Sequence, residues 1–130
     1  MPSLLGVHHI RLPVADIEAS SDWYRTILGF EILLYEEEED RAIGAVLHHP
    51  SGVVLGLHQA KAAVVAALEG FNILGLTTDD LPAWVDELER LGAIHGEMTR
   101  GSAGYFIEVR DPNGTAVQLH TAEQPNVEEG

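Results

Sequence analysis

The sequence predicts an α+β fold in which two βαβββ modules form a cupped mixed sheet with helices on its outer side. Three observations lead to this prediction. The chain has 130 residues, a length that suits a single hydrophobic core. Its periodic segments run in the order strand, helix, three strands, and that order occurs twice. One helix can cover only one face of a small sheet, so we expect the uncovered faces to form the inside of a cup.

The first module is predicted over about residues 5–60. A β-prone strand over residues 7–14 is followed by an amphipathic helix, which Asp16 caps and Gly29 ends. The acidic stretch over residues 36–40 is typical of a solvated turn. Three further strands complete the module, over residues 31–35, 42–48 and 53–58.

The second module is predicted over about residues 71–122, after an Ala-rich connector over about 61–70. Its helix is capped by Asp79 or Asp80 and ends at Gly92. The remaining residues, 123–130, are predicted to form a flexible tail. The strands of this module are predicted over residues 72–78, 94–98, 105–110 and 115–120.

Matching residues in the two modules indicate a duplication. Asp16 and Asp80 stand at the start of the two helices, and each helix ends in Leu-Gly. A Pro-x-Gly turn precedes the last strand of each module, and both of these strands end in Leu-His, at His58 and His120. The repeat therefore follows from the chain itself.

Charge and composition exclude several function classes. Seven Lys and Arg against 21 Asp and Glu give a net charge of −14, which repels nucleic-acid phosphates and anionic lipids. We therefore expect no nucleic-acid partner and no membrane partner. The sequence has no cysteine, so any metal must be held by nitrogen and oxygen ligands. No apolar run is long enough to cross a bilayer, and a cytoplasmic protein is predicted.

Three motifs carry a resemblance to a known family. They are His-Ile-Arg-Leu-Pro-Val-x-Asp at residues 9–16, Trp-Tyr-x-x-x-Leu-Gly-Phe at 23–30 and Arg-Asp-Pro-Asn-Gly at 110–114. With them the chain resembles the vicinal-oxygen-chelate superfamily, which includes glyoxalase I, extradiol dioxygenases and bleomycin-binding proteins. The resemblance implies one domain of this type over residues 1–130 and a homodimer. It does not imply one activity, because this scaffold carries several chemistries.

The resemblance also implies where a metal would bind. In that family a His in the first strand and a Glu in the last strand of each module hold a divalent ion. The matching positions are His9 and Gln118, which carry donor atoms, and Gly56 and Ile73, which carry none. Two neutral ligands hold a divalent metal weakly, so a metal cofactor is possible but not firmly implied. His8 is adjacent to His9 and is expected to point to the opposite face.

Side-chain alternation along the strands adds three candidate ligand-binding residues: Arg11, His58 and His120. Each lies two positions from a metal-site position and therefore shares its face. Arg11 could pair with a ligand carboxylate or with a neighbouring Glu. The two histidines could instead repair the metal site, although a shift of two positions moves the Cα by about 6–7 Å along a strand.

Two functions therefore remain open from the sequence. The first is a binding module, similar to the bleomycin-binding branch, that holds a small molecule in the cup without a chemical step. The second is a divalent-metal-dependent lyase, isomerase or dioxygenase that acts on a substrate with vicinal oxygens. The missing metal ligands favour the binding module, and the acidic charge favours a cationic ligand.

Overall fold

The structure, a computed structural model, describes residues 1–122, and the predicted tail over 123–130 lies outside the described residues. The chain divides into two units, the first over Met1–Ala67 and the second beginning at Leu68. Each unit contains one four-stranded mixed sheet, and the elements follow the order βαβββ in both. The predicted α+β fold of two such modules is confirmed. None of the helices in residues 1–122 combines the length and the apolar character that a membrane span requires.

The first unit has the strand order β1-β4-β3-β2. β1 and β4 are parallel, and the two other pairs are antiparallel. A short helix, α2, forms within the predicted connector and packs against β1, with Val65 buried. The elements are β1 Ile10–Val14, α1 Ile17–Leu28, β2 Glu31–Glu38, β3 Arg41–His48, β4 Val54–Gln59 and α2 Ala62–Ala67.

The second unit repeats this topology with the strand order β5-β8-β7-β6. β5 and β8 are parallel, and the other pairs are antiparallel. The elements are β5 Asn72–Thr78, α3 Leu81–Leu91, β6 Thr99–Gly101, β7 Gly104–Arg110 and β8 Ala116–Thr121.

In each unit an apolar layer lies between the sheet and its long helix. Every second residue of the central strands is buried, as alternation requires, and the buried side chains of α1 and α3 complete each layer. In the first unit the buried residues include Leu12, Val14, Ala45, Leu47, Leu55, Leu57, Tyr24 and Leu28. In the second they include Leu74, Ile107, Val109, Val117, Leu119, Leu81 and Leu88.

Both long helices begin and end at the predicted residues. Asp16 and Asp80 each accept a hydrogen bond of 3.0 Å from the backbone N–H three residues later. Gly29 and Gly92 follow the helices with φ values of 80° and 68°, in the left-handed region that glycine adopts without a steric penalty. Of the two caps predicted for the second helix, the structure selects Asp80.

The first strand is shorter than predicted, because β1 begins at Ile10 and residues 7–9 precede it. His8 and His9 therefore do not alternate. Their Nδ1 atoms lie 2.9 Å apart and their rings meet edge to face, at an angle of 82°. The prediction that they point to opposite faces is wrong, since alternation holds only inside a strand.

The acidic stretch forms mostly strand, which corrects the prediction of a turn over residues 36–40. β2 continues to its end at Glu38, and the turn consists of Glu39 and Asp40, with φ values of 52° and 61°. Two consecutive positive φ values are typical of the two-residue turn whose twist suits a hairpin. The glutamates before the turn lie on an edge strand, where charge opposes pairing with other chains.

The strand predicted over residues 94–98 does not form. Only an isolated bridge joins His95 to Val109, and the edge strand β6 follows later in the chain. Ile94 is exposed although it is apolar. Residues 94–98 read Ile-His-Gly-Glu-Met, a pattern with only two apolar side chains that does not by itself distinguish a strand from an extended loop, which is why the prediction was wrong.

Candidate functional site

Each sheet has two different faces, and the candidate site residues lie on the one that we call the open face. The open face is the face opposite α1 in the first unit and opposite α3 in the second. Leu55 and Leu57 are buried toward α1, so the alternate residues of β4, Gly56 and His58, lie on the open face. Arg11 joins them because it is the register partner of Gly56.

Gly56 is the point on which two predicted site residues converge. A Cβ atom built on this glycine would lie 3.7 Å from Arg11 Nε and 3.9 Å from His9 Cδ2. The glycine itself is buried, while the arginine and the histidine are exposed. The first unit therefore places a guanidinium and an imidazole over a gap in the sheet surface.

His58 lies farther along the same face, beside a second glycine. Its register partner in β3 is Gly44, and the register partner of that glycine in β2 is Glu36. A Cβ on Gly44 would lie 3.3 Å from the Glu36 carboxyl carbon. His58 and Glu36 thus flank Gly44 from the two neighbouring strands, and this part of the face carries an exposed imidazole and an exposed carboxylate.

In the second unit, Gln118 stands at the centre of the open face. Its register partners are Gly75 in β5 and Glu108 in β7. A bulge in β5 brings Asn72, rather than Ile73, next to it. The orientation of the Asn72 amide that satisfies both of its ends lets its nitrogen donate to the backbone oxygens of Leu74 and Ala116 at 3.2 and 3.3 Å and its oxygen accept from Gln118 Nε2 at 3.2 Å.

Glu108 is the carboxylate of this open face. Its Oε2 lies 3.6 Å from Arg110 Nη2, and both side chains are about a third exposed. Arg110 Nη1 also donates to the backbone oxygen of Gly114 at 3.0 Å. The arginine is therefore engaged by the turn that precedes β8 and lies near Glu108, the register partner of Gln118.

His120, the third predicted site residue, pairs with an aromatic side chain. Its ring stacks on Phe106, with the ring centres 5.9 Å apart and the planes 16° from parallel. His120 Nδ1 lies 2.8 Å from the backbone oxygen of Thr121, which can only accept, so Nδ1 donates. In the neutral ring Nε2 is then a hydrogen-bond acceptor.

A comparison with protein families identifies the group to which this architecture belongs. Residues 6–119 match the model of the Glyoxalase/Bleomycin resistance protein/Dioxygenase superfamily. The chain belongs to this superfamily. The match covers both modules and all three sequence motifs, so the resemblance predicted from the sequence is confirmed.

Solved structures of the same fold agree. A glyoxylase/bleomycin resistance protein/dioxygenase domain from Frankia sp. EAN1pec has a TM-score of 0.74 and 22% identity and covers 92% of this chain and 98% of its own. TnmS3, an antibiotic binding protein from Streptomyces sp. CB03234, has a TM-score of 0.70 and 19% identity, and the match covers 92% of this chain and 98% of TnmS3. A possible glyoxalase from Bacillus cereus has a TM-score of 0.70 and 18% identity, and the match covers 90% of this chain and 99% of that one. The chain has no significant match among curated proteins.

The side chains at the superfamily's chelate positions do not fit a divalent metal. Gly56 offers no donor atom, and a Cβ atom there would lie 3.7 Å from Arg11 Nε, so a cationic side chain lies beside that position. Within residues 1–122, no group of three or more His, Asp or Glu side chains is arranged to hold an ion. His9 and His58 belong to the first unit, Gln118 and His120 to the second.

Sequence reasoning missed four residues of the open faces: Glu36, Asn72, Phe106 and Glu108. Glu36, Phe106 and Glu108 were missed because their neighbours depend on the register between strands, which the sequence does not specify. Alternation on the predicted strand puts Phe106 and Glu108 on one face with Arg110, but it does not identify which residues of β8 they lie beside. Asn72 was missed because its position depends on the bulge.

Two clefts lie away from the predicted site residues. One of about 480 Å³ lies beside the start of α1 and is lined by several carboxylates, including Asp16 and Glu37. The other, of about 460 Å³, lies between α3 and residues 95–98 and includes Val85 and Met98. Neither contains a residue of the superfamily's chelate positions, so the open faces remain the candidate site.

Proposed function

We propose that this protein binds a small organic molecule on the open faces of its sheets and that it does so without a resident divalent metal. The observation that carries the proposal is the second open face, where Gln118, Glu108, His120 and Phe106 stand on the side opposite α3. Polar groups that converge around a gap such as Gly75, beside an aromatic pair, are typical of a ligand site. TnmS3, which has the same fold, is an antibiotic binding protein.

The donor set supports a binding role over metal-dependent catalysis. A metal that polarises a substrate needs three or four protein ligands and an open position. Here one chelate position is Gly56, which has no donor atom, and the Arg11 guanidinium lies beside it. Repulsion between a guanidinium and a divalent ion adds to the loss of the ligand.

Metal content tests the proposal. Protein purified without added metal should contain less than about a tenth of an equivalent of Zn, Ni, Mn, Fe or Co. Excess Zn or Ni should raise the melting temperature no more in wild type than in His9→Ala, because stabilisation by a ligand depends on occupancy of a native-state site. The matched control is His48→Ala. About one equivalent of metal that His9→Ala loses and His48→Ala retains would overturn the proposal.

Turnover is the second test. A hemithioacetal assay for glyoxalase activity and a catechol-cleavage assay with added iron cover two chemistries of the superfamily. A binding protein turns over neither substrate. Turnover that depends on added metal and is lost in His9→Ala would favour the enzyme instead.

We also propose a homodimer, located in the cytoplasm. Leu4, Leu5 and Val7 are almost fully exposed in the single chain, and a second copy would cover such side chains. The sequence has no cysteine, so the fold does not depend on a disulfide that the reducing cytoplasm would break. Light scattering should give twice the chain mass of 14.1 kDa for wild type and a lower mass for Leu4→Ser/Leu5→Ser. A wild-type monomer at micromolar concentration would contradict the homodimer.

A further inference from the structure

The open face of the second sheet presents hydrogen-bond acceptors, and several of its N–H donors are engaged internally. With the Asn72 amide turned so that its oxygen faces Gln118, Gln118 donates through its amide nitrogen to Asn72; Arg110 Nη1 donates to the Gly114 backbone oxygen, and its Nη2 lies 3.6 Å from Glu108. His120 uses its Nδ1 proton on the Thr121 carbonyl. A ligand on this face therefore meets an amide oxygen, a carboxylate and an imidazole Nε2.

These acceptors are spaced for a flat molecule. Gln118 and Glu108 are direct cross-strand partners, about 4.5–5.5 Å apart at Cβ, and His120 lies two residues along, a further 6–7 Å or so. Phe106 stacks on His120 and adds an aromatic surface. A Cβ on Gly75 would lie 3.9 Å from Gln118 Oε1, so the glycine leaves space beside that acceptor.

The net charge of the protein favours a cation at this site, where Arg110 compensates part of the charge of Glu108. Glu108 is about a third exposed, and its one ion-pair partner in the described chain is Arg110, at 3.6 Å. Hydrogen bonds from a cationic N–H to a carboxylate are roughly twice as strong as neutral ones. The net charge of −14 raises the local concentration of cations, whereas an anion would face both the protein's field and the row of acceptors.

We propose that the ligand of this open face is a flat organic cation with N–H donors, of the aromatic amine or amidine class. The inference rests on the proposed function and names the ligand class of the same site. The juxtaposition of Gln118 Oε1, the Glu108 carboxylate and His120 Nε2 beside the Phe106 ring favours a molecule that is flat and has N–H donors.

Three fluorescent dyes test the inference on the full-length protein. Proflavine is a flat cation with two primary amino groups. Acridine orange has the same ring and charge, but its amino groups are dimethylated and donate no hydrogen bond. Anilinonaphthalene sulfonate is aromatic and anionic. Fluorescence polarisation at neutral pH and fixed salt should show proflavine binding at least about tenfold more tightly than either of the others, a difference of about 1.4 kcal/mol.

Variants locate the binding. Glu108→Gln removes the charge and keeps the shape, and it should weaken proflavine binding about tenfold or more. The matched control is Glu89→Gln, which removes one charge from the exposed face of α3 and should change the affinity less than twofold. Phe106→Leu should weaken both cationic dyes, because it removes the ring and keeps Glu108. Its effect serves as a second readout if Glu108→Gln unfolds.

Each contrary result overturns the inference in a distinct way. Equal affinity for proflavine and acridine orange would show that the amino N–H donors do not contribute to binding. Equal effects of Glu108→Gln and Glu89→Gln would show that only the net charge of the protein contributes. Tight binding of the anionic dye that Phe106→Leu abolishes overturns the ligand class and leaves the proposed binding function in place. Metal-dependent turnover in the assays above overturns the proposed function itself, whatever the dyes show.

Discussion

The two modules have the same topology and the same helix caps but carry different chemistry on their open faces. In the first, Arg11 and His9 lie over Gly56. In the second, the matching strand carries Gln118, with Glu108 opposite it. The difference shows that the duplicated pattern specifies the buried layer and the turns, whereas the open face varies without cost to the fold.

The buried layers are the strongest part of the comparison. Leu57 and Leu119 occupy the same place in their modules, as the leucines of the Leu-His pairs in β4 and β8, and both are almost completely buried. If the modules are equivalent in packing, the two leucines should contribute similar free energies of folding. The open faces should contribute little by comparison, because their side chains are half-buried or exposed.

The largest expected effect comes from truncating the side chains of these two leucines to alanine. Leu57→Ala and Leu119→Ala should each lower the free energy of unfolding by about 2–5 kcal/mol, through lost burial and the cavity left behind. Urea denaturation followed by circular dichroism measures this loss. Leu34→Ala, in a side chain that is half exposed, is the control and should cost less than about 0.5 kcal/mol. A large loss in only one module would contradict their equivalence.

Most of the fold could be predicted because its signals are local and occur twice. Asp16 and Asp80 are recognisable as caps from residue type and position, and the following periodicity identifies both helices. The failures occurred where tertiary pairing decides. Residues 36–38 are strand because β3 pairs with them, whereas residues 94–98 form only an isolated bridge at His95.

The candidate site was less predictable than the fold. Alternation correctly grouped His58 with Gly56 and His120 with Gln118 on shared faces, because a period of two holds within each strand. The partners across the sheet, such as Glu108 opposite Gln118, require the register between strands, which no local pattern encodes. The roles of the predicted site residues remain predictions that the binding and metal experiments test.

The helix caps give an effect of intermediate size. Asp16→Ala and Asp80→Ala should each lower the free energy of unfolding by about 1 kcal/mol, since each removes one hydrogen bond of 3.0 Å to the first turn. Asp16→Asn and Asp80→Asn are the matched controls, because asparagine accepts the same bond, and they should retain most of the stability. An alanine variant as stable as its asparagine counterpart would show that the cap in that module contributes nothing.

The smallest expected effect concerns exposed ion pairs, of which each module has one on its long helix. Asp22 pairs with Arg25 on α1, and Glu87 pairs with Arg90 on α3, each three residues apart. The hydrogen bond from Arg90 lowers the pKa of Glu87 below its ordinary value of 4.5, and the same bond raises the pKa of Arg90. Because both side chains are on the surface, the pair contributes little and is screened by salt.

The direction of the pH dependence follows from the lowered pKa of Glu87. A carboxyl whose pKa is depressed on folding adds stability above its unfolded pKa and loses that stability as the pH falls through the folded value. Glu87→Gln should therefore lower the melting temperature slightly at pH 7 and not at pH 3. Glu89→Gln, on the same helix, is the control, since Glu89 is in no ion pair within residues 1–122. Identical pH profiles for the two variants would mean that the net charge of −14, and not the Glu87–Arg90 pair, governs the stability of α3.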